Sequence, residues 1–149
     1  MRIGILLAFV FLVSCGNNSS EERKDGYSET AKNPEDSLFQ DVMDQHDEAM
    51  AKMGKLVGYR KQFDAKIDSL NKVKSSNKEA IGKQYEEITG ELKKAEDRMN
   101  TWMQEFSIDS AQDNIERRIQ YLGSEKTKVT TIKEEILSAL AKADSVLKK

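Results

Sequence analysis

Apolar residues recur at alternating steps of three and four positions along three long stretches of the chain. This spacing is typical of amphipathic helices that pack along a coiled-coil-like seam. It predicts helices over approximately residues 34–72, 77–106 and 110–148, and no stretch shows the two-residue alternation of a strand. Because short connections between long helices favour antiparallel neighbours, the predicted fold class is all-α, an antiparallel up-down-up three-helix bundle. The alternative is an extended helical hairpin that completes its core by dimerisation.

Capping residues precede each of the three predicted helices. Asn33 followed by Pro34 matches an N-cap residue and a first-turn proline, and two acidic residues follow in the first turn. Ser76 is followed three positions later by Glu79, which matches a capping box for the second helix. Ser110 offers a weaker cap for the third. Residues 33–149 are therefore predicted to form one helical domain.

Three charged residues, Arg60, Arg118 and Glu125, fall on the apolar seams. A charged residue at a seam position commonly sets the register of the helices or extends its stem towards solvent. The alternative interpretation is a polar layer that binds a ligand inside the bundle.

The N-terminus has the features of an export signal. An apolar run over residues 3–13, interrupted only by Gly4, follows Met1 and Arg2. This run is shorter than the approximately 20 residues that a membrane-spanning helix needs, and it fits the apolar region of a signal peptide. Residues 1–14 are therefore predicted to be a signal peptide.

The residues around Cys15 resemble the lipobox of bacterial lipoproteins, since Leu12 precedes two small-to-medium residues and then the cysteine. The resemblance implies cleavage before Cys15 and acylation of its sulfur, usually with acylation of the new amino group. Two or three acyl chains anchor a protein stably where one does not. Residues 15–32 are then the lipidated cysteine and a polar, flexible tether. Gly16, where inner-membrane lipoproteins often have Asp, favours the outer membrane of a Gram-negative cell envelope, on its periplasmic face or at the surface.

Composition excludes several classes of function. A formal net charge of −2 argues against nucleic-acid binding, which needs a basic surface. One His and one Cys exclude multi-His and multi-Cys metal sites. The sequence contains no phosphate-binding glycine loop and no nucleophile elbow. We therefore expect that the protein is not an enzyme.

Methionines, the only histidine and the only tryptophan are expected to cluster at one end of the bundle. If the chain reverses at residues 74–75, Met50 faces Met99 and His46 faces Met103, with Trp102 beside them. Thioether and imidazole groups suit Cu(I), and the ligand set is similar to that of periplasmic Cu(I)/Ag(I) chaperones in chemistry, not in fold. The alternative is that the methionines only fill the core and pack against aromatic rings.

Two short motifs in these same regions carry a family resemblance. They read His46-Asp47-Glu48-x-Met50-x-x-Met53-Gly54 and Trp102-Met103-x-x-Phe106. Both are similar to motifs of a group of small bacterial lipoproteins that are often labelled "viral A-type inclusion protein". The resemblance implies a lipid-anchored helical protein of the cell envelope with no catalytic role and no cofactor beyond the lipid on Cys15.

Two hypotheses about function follow from the sequence. The first is a structural or protein-interaction module that reaches the membrane through its lipid anchor and contacts a protein partner or a second copy of itself. The alternative is a periplasmic Cu(I)/Ag(I)-binding protein whose ligands come from the methionine, histidine and tryptophan cluster.

Overall fold

The computed structural model describes residues 33–148. This part of the chain contains three helices and no strand: α1 (Pro34–Asn71), α2 (Lys78–Glu105) and α3 (Ile115–Leu147). Each helix packs against both of the others, which confirms the predicted all-α three-helix bundle. The predicted signal peptide, Cys15 and the tether up to residue 32 lie outside the described residues. Within residues 33–148, no helix is both long and apolar enough to cross a membrane.

Ion pairs on the bundle surface show how the helices run relative to one another. The pairs between α1 and α3, Asp41–Lys126 (2.6 Å) and Glu48–Lys133 (2.7 Å), advance in the same direction along both helices, so α1 and α3 are parallel. Between α2 and α3, the Arg98–Glu135 and Glu91–Lys142 pairs advance in opposite directions, so α2 is antiparallel to α3. Such exposed pairs contribute about 0–1 kcal/mol each. They therefore specify register more than they stabilise the fold.

The core is a continuous column of apolar side chains between the helices. On α1 it repeats every seven residues, at Val42, Ala49, Leu56 and Phe63, all fully buried. The buried core residues of α2 are Ile88, Leu92, Ala95, Met99 and Trp102, and those of α3 include Leu122, Val129, Ile132, Ile136 and Ala143. Since α3 covers both α1 and α2, one chain completes the core, and the hairpin that must dimerise is not the fold observed.

The starts of α1 and α2 differ in how they are capped. Asn33 Oδ1 accepts a hydrogen bond from the backbone N–H of Asp36 at 2.9 Å, so the predicted cap of α1 is confirmed. The predicted capping box at Ser76 and Glu79 is wrong. Asn77 occupies the N-cap position of α2 and makes no side-chain capping bond. Its backbone, at φ −100° and ψ 8°, departs from the extended conformation from which a side chain reaches the first helical N–H groups.

The predicted start of α3 at residue 110 is wrong by five positions. Asn114 is the N-cap residue, and its Oδ1 accepts a hydrogen bond from the N–H of Arg117 at 3.0 Å. Ser110 instead closes a turn, with its N–H bonded to Ser107 O at 3.2 Å. Ala111 adopts φ 58°, a left-handed conformation that a right-handed helix cannot contain. The chain therefore turns between the end of α2 at Glu105 and the start of α3 at Ile115.

Candidate functional site

The sequence predicts that His46 faces Met103. Across the α1–α2 interface, His46 instead contacts Trp102, one position earlier. Their ring centroids are 5.6 Å apart and the planes are tilted by 35°. Trp102 is 5% exposed, and its indole Nε1 donates a hydrogen bond to Glu125 Oε2 on α3 at 2.8 Å. The indole is therefore fixed from both sides, by the imidazole of α1 and by the carboxylate of α3.

The two charged seam residues of α3 are buried and bind partners inside the protein. Glu125 and Arg118 are each 4% exposed, so of the two roles expected for a charged seam residue, extension to solvent does not apply to either of them. Besides the indole, Glu125 accepts a hydrogen bond from Lys128 Nζ at 2.7 Å, and this hydrogen bond raises the pKa of Lys128 above its ordinary value. Arg118 donates to Glu35 Oε1 at 3.1 Å and to Ser110 O at 2.8 Å.

The third seam charge, Arg60 on α1, behaves differently. Its side chain is 30% exposed, and its Nε lies 3.3 Å from Glu96 Oε2 on α2. It therefore spans the α1–α2 interface near the surface. Each of the three seam charges is therefore within ion-pair distance of an acid or base of the bundle.

A row of stacked aromatic rings continues from Trp102 to the end of α2. Trp102 stacks on Phe106 with centroids 4.8 Å apart, and Phe106 stacks on Tyr121 of α3 at 6.1 Å. Tyr121 Oη accepts a hydrogen bond from the N–H of Ser107 at 2.7 Å, directly after α2 ends. The sequence patterns did not single out Tyr121, because it stands beside the apolar seam at Leu122 and not on it.

The predicted alignment of α1 with α2 is close to the one observed. The contacts His46–Trp102 and Phe63–Tyr85 both join residues whose numbers add up to 148. The chain reverses at residues 72–77, between α1 and α2, as the predicted reversal at residues 74–75 requires. The five residues of the predicted cluster therefore lie in the same part of the α1–α2 interface.

Within that part of the interface, the methionines divide into buried and exposed ones. Met99 is fully buried in the core. Met50 and Met103 are 36% and 37% exposed, so their side chains lie at the surface. Met53 is partly buried and packs against the core. Core packing thus accounts for Met99 and Met53, and it does not account for Met50 or Met103.

His46 has one ring nitrogen engaged. Nδ1 lies 2.8 Å from Asp47 Oδ1, and Nε2 makes no hydrogen bond to any other residue in the range 33–148. In the same range, no three or more His, Cys, Asp or Glu side chains converge as a metal site would require. A metal ion at His46 would therefore need the thioether sulfurs as its other ligands.

A groove of about 430 Å³ lies between α2 and α3 on the other side of Trp102. Trp102 and Ile132 form its apolar floor, and its rim is basic at Lys93, Lys94, Arg98 and Lys128 and acidic at Asp97 and Glu105. Three of the four cations are paired with acids of the protein: Lys93 with Asp97, Arg98 with Glu135 and Lys128 with Glu125. The rim is consequently close to electrically neutral.

The end of the bundle where α2 meets α3 exposes three isoleucines. Ile108 lies in the turn, and Ile115 and Ile119 lie one helical turn apart on α3. We call these three residues the apolar end surface. The Arg118–Glu35 ion pair places the first turn of α1 at the same end of the bundle.

No protein-family model, no curated protein and no solved structure matches this chain.

Proposed function

We propose that the protein is a lipid-anchored component of the bacterial cell envelope whose helical bundle is a structural or protein-interaction module. The observation that supports this proposal is the apolar end surface, Ile108, Ile115 and Ile119, at the end of the bundle where α1 begins. Exposed large apolar side chains that are grouped on a protein surface commonly mark an interaction site.

The charges beside this surface favour a particular kind of partner. Asp109, Asp113 and Glu116 flank the isoleucines along the chain. Among residues 33–148, only Asp113 of these three is paired with a base, Arg117, at 2.8 Å. An apolar surface bordered by carboxylates is complementary to apolar side chains that are flanked by lysine or arginine. We therefore infer a protein partner with a basic, apolar segment.

The predicted anchor would keep this surface close to the membrane. The Asn33 cap begins α1 directly after the predicted tether, and a flexible coil of about 17 residues spans roughly 20–25 Å. The 38 residues of α1 extend about 57 Å further, to the turn at the opposite end. The inferred partner would therefore be a membrane protein or another envelope protein near the same membrane.

Site-specific photo-crosslinking in intact cells tests this proposal. A photoreactive phenylalanine in place of Ile115 should form one discrete adduct with another envelope protein. The same residue in place of Lys74, which is exposed in the turn at the opposite end, is the matched control and should not form that adduct. In the Ile115 experiment, Ile119→Lys should reduce the adduct because it places a base where the basic partner would bind.

Two results would contradict the proposal. One is the same set of adducts from both positions, which would indicate random collision. The other is an adduct of twice the mass of the chain alone, which would show that the apolar end surface binds a second copy and not a basic partner protein.

A further inference from the structure

We propose that His46, Met50 and Met103 form a binding site for a soft monovalent metal ion, Cu(I), on the outer side of the α1–α2 interface. Met99 lies beneath the site and Trp102 beside it. This site is separate from the apolar end surface and does not depend on the function proposed above.

The imidazole of His46 is already oriented as a metal ligand. Asp47 Oδ1 lies 2.8 Å from Nδ1, which favours the tautomer that has its proton on Nδ1. The lone pair then lies on Nε2, which has no hydrogen-bond partner in the described part of the chain. Metal-binding histidines usually have this arrangement, in which a carboxylate binds one ring nitrogen and the metal binds the other.

The antiparallel register brings the two exposed thioethers towards each other. Since facing residues of α1 and α2 have numbers that add up to 148, Met103 lies level with position 45 of α1, five positions before Met50. Long side chains on a helix lean towards the N-terminus of that helix. In an antiparallel pair, Met50 therefore leans towards the level of Met103, and Met103 leans towards the level of Met50.

An ion pair shows which side of α2 faces α1. Glu96 stands one heptad before Met103 on α2, and its carboxylate lies 3.3 Å from Arg60 Nε of α1. Met103 therefore lies on the side of α2 that faces α1. His46 and Met50 are four positions apart on α1, which places them on neighbouring turns of one face.

Exposure distinguishes this group from ordinary core methionines. Met99 has a complete apolar environment, as expected for a residue that fills the core. Met50 and Met103 leave more than a third of their surface in water, and so they gain less from burial. Both thioethers lie at the surface, within about one helical turn of an oriented imidazole. We therefore attribute them to metal binding by the sulfur atom and not to the filling of core volume.

The donor set selects for the type of ion. One neutral imidazole and two thioethers have no net charge, and thioethers are soft ligands that favour Cu(I) over Zn²⁺. Asp47 is paired with His46 and Glu48 with Lys133 at 2.7 Å, and within residues 33–148 no three or more His, Cys, Asp or Glu side chains converge. The site therefore lacks the hard oxygen ligands that a divalent ion would need.

Competition for Cu(I) tests the site in the full-length protein, extracted in detergent and kept free of oxygen. Cu(I) is added in the presence of a chromophoric Cu(I) chelator, and transfer to the protein is followed by the loss of chelator absorbance. Because Trp102 is the only tryptophan, quenching of its fluorescence reports binding at this position. The same titration on Cys15→Ser excludes binding by an unmodified thiol.

Isosteric variants separate ligation from packing. Met50→Leu and Met103→Leu keep the apolar volume and remove sulfur, so each should weaken Cu(I) binding at least tenfold without changing the helix content. Met53→Leu is the matched control, because Met53 packs against the core, and it should change the affinity less than twofold. Asp47→Asn should weaken binding by about 10- to 100-fold through the orientation of His46.

Four results would overturn the proposal. The first is no transfer of Cu(I) from the chelator to the protein. The second is equal loss of affinity in Met50→Leu and Met53→Leu. The third is a lower melting temperature of His46→Ala with unchanged Cu(I) uptake, which would assign His46 to packing against Trp102. Stronger binding of Zn²⁺ than of Cu(I) would also contradict the soft donor set.

Discussion

Replacement of Arg118 by Met should destabilise the bundle more than the loss of any other single positive charge within residues 33–148. Arg118 is 4% exposed and its guanidinium donates to Glu35 on α1 and to Ser110 O in the turn before α3. It thereby joins three segments at one end of the molecule. Met keeps most of the apolar stem, so Arg118→Met removes mainly the two hydrogen bonds and the charge.

The magnitude follows from these contacts. Hydrogen bonds that involve a charged group contribute about 1.5–3 kcal/mol each, which sets an upper limit of roughly 3–6 kcal/mol. Two effects reduce it. The Glu35 side chain is 29% exposed, so water can solvate its carboxylate in the variant. Removal of the guanidinium also removes its desolvation cost. We therefore expect a loss of about 2–3 kcal/mol in the free energy of unfolding.

The neighbouring residue provides a matched control. The Arg117 side chain is 63% exposed and forms an ion pair with Asp113 at i,i+4, so Arg117→Met should cost only about 0.3–0.5 kcal/mol. Urea unfolding followed by circular dichroism at 222 nm and by Trp102 fluorescence measures both variants. Equal effects of the two substitutions would refute the reasoning. A more stable Arg118→Met would show that desolvation outweighs the internal pairing.

Three further predictions concern the core, the surface network and the helix backbone. Leu92→Asp, at a fully buried position, should cost more than about 4 kcal/mol because it buries an unpaired charge, and circular dichroism should show loss of helix. The Tyr59 hydroxyl and the Lys55 ammonium donate to Asp144 and lower its pKa from 3.8 to about 2. Its stabilising effect is therefore complete above its ordinary pKa and is lost as the pH falls through about 2. Asp144→Asn should be less stable than the wild type at pH 6, and urea unfolding at successively lower pH should show the difference closing near pH 2. Gly90→Ala should raise the urea midpoint by the equivalent of up to about 1 kcal/mol, because an added Cβ meets nothing within 4 Å.

The fold follows from local patterns that a sequence displays directly. A seven-residue repeat such as Val42, Ala49, Leu56 and Phe63 has only one apolar side, and that side must be buried. The reversal between α1 and α2 was predictable because the polar stretch at residues 72–77 interrupts the seam. The resulting alignment, which the His46–Trp102 contact shows, differs from the prediction by one residue.

The errors arise where partners are distant in sequence or where two local signals compete. Ser110 and Asn114 are both good capping residues, and only the contact of Arg118 with Ser110 O shows why the turn is retained. Arg118 finds its acidic partner 83 residues away, at Glu35, which no local pattern indicates. For the same reason, the sequence placed Arg118 and Glu125 on the seam but indicated neither their burial nor their partners.

The candidate site was predictable in its residue types but not in its geometry. Successive residues on a helix point about 100° apart. A small rotation therefore decides whether a methionine such as Met99 is buried or one such as Met50 is exposed. The hydrogen bond between Asp47 and His46 depends on side-chain rotamers, which a sequence does not specify.

The proposed function depends on the prediction that Cys15 is lipidated and fixes the protein to a membrane. Palmitate labelling and membrane fractionation of the wild type and of Cys15→Ser test it most directly. We predict that the wild type is labelled and sediments with the membrane. Cys15→Ser should lose the label and either appear in the soluble fraction or retain its uncleaved N-terminus. Unchanged fractionation, mass and labelling of Cys15→Ser would contradict the account.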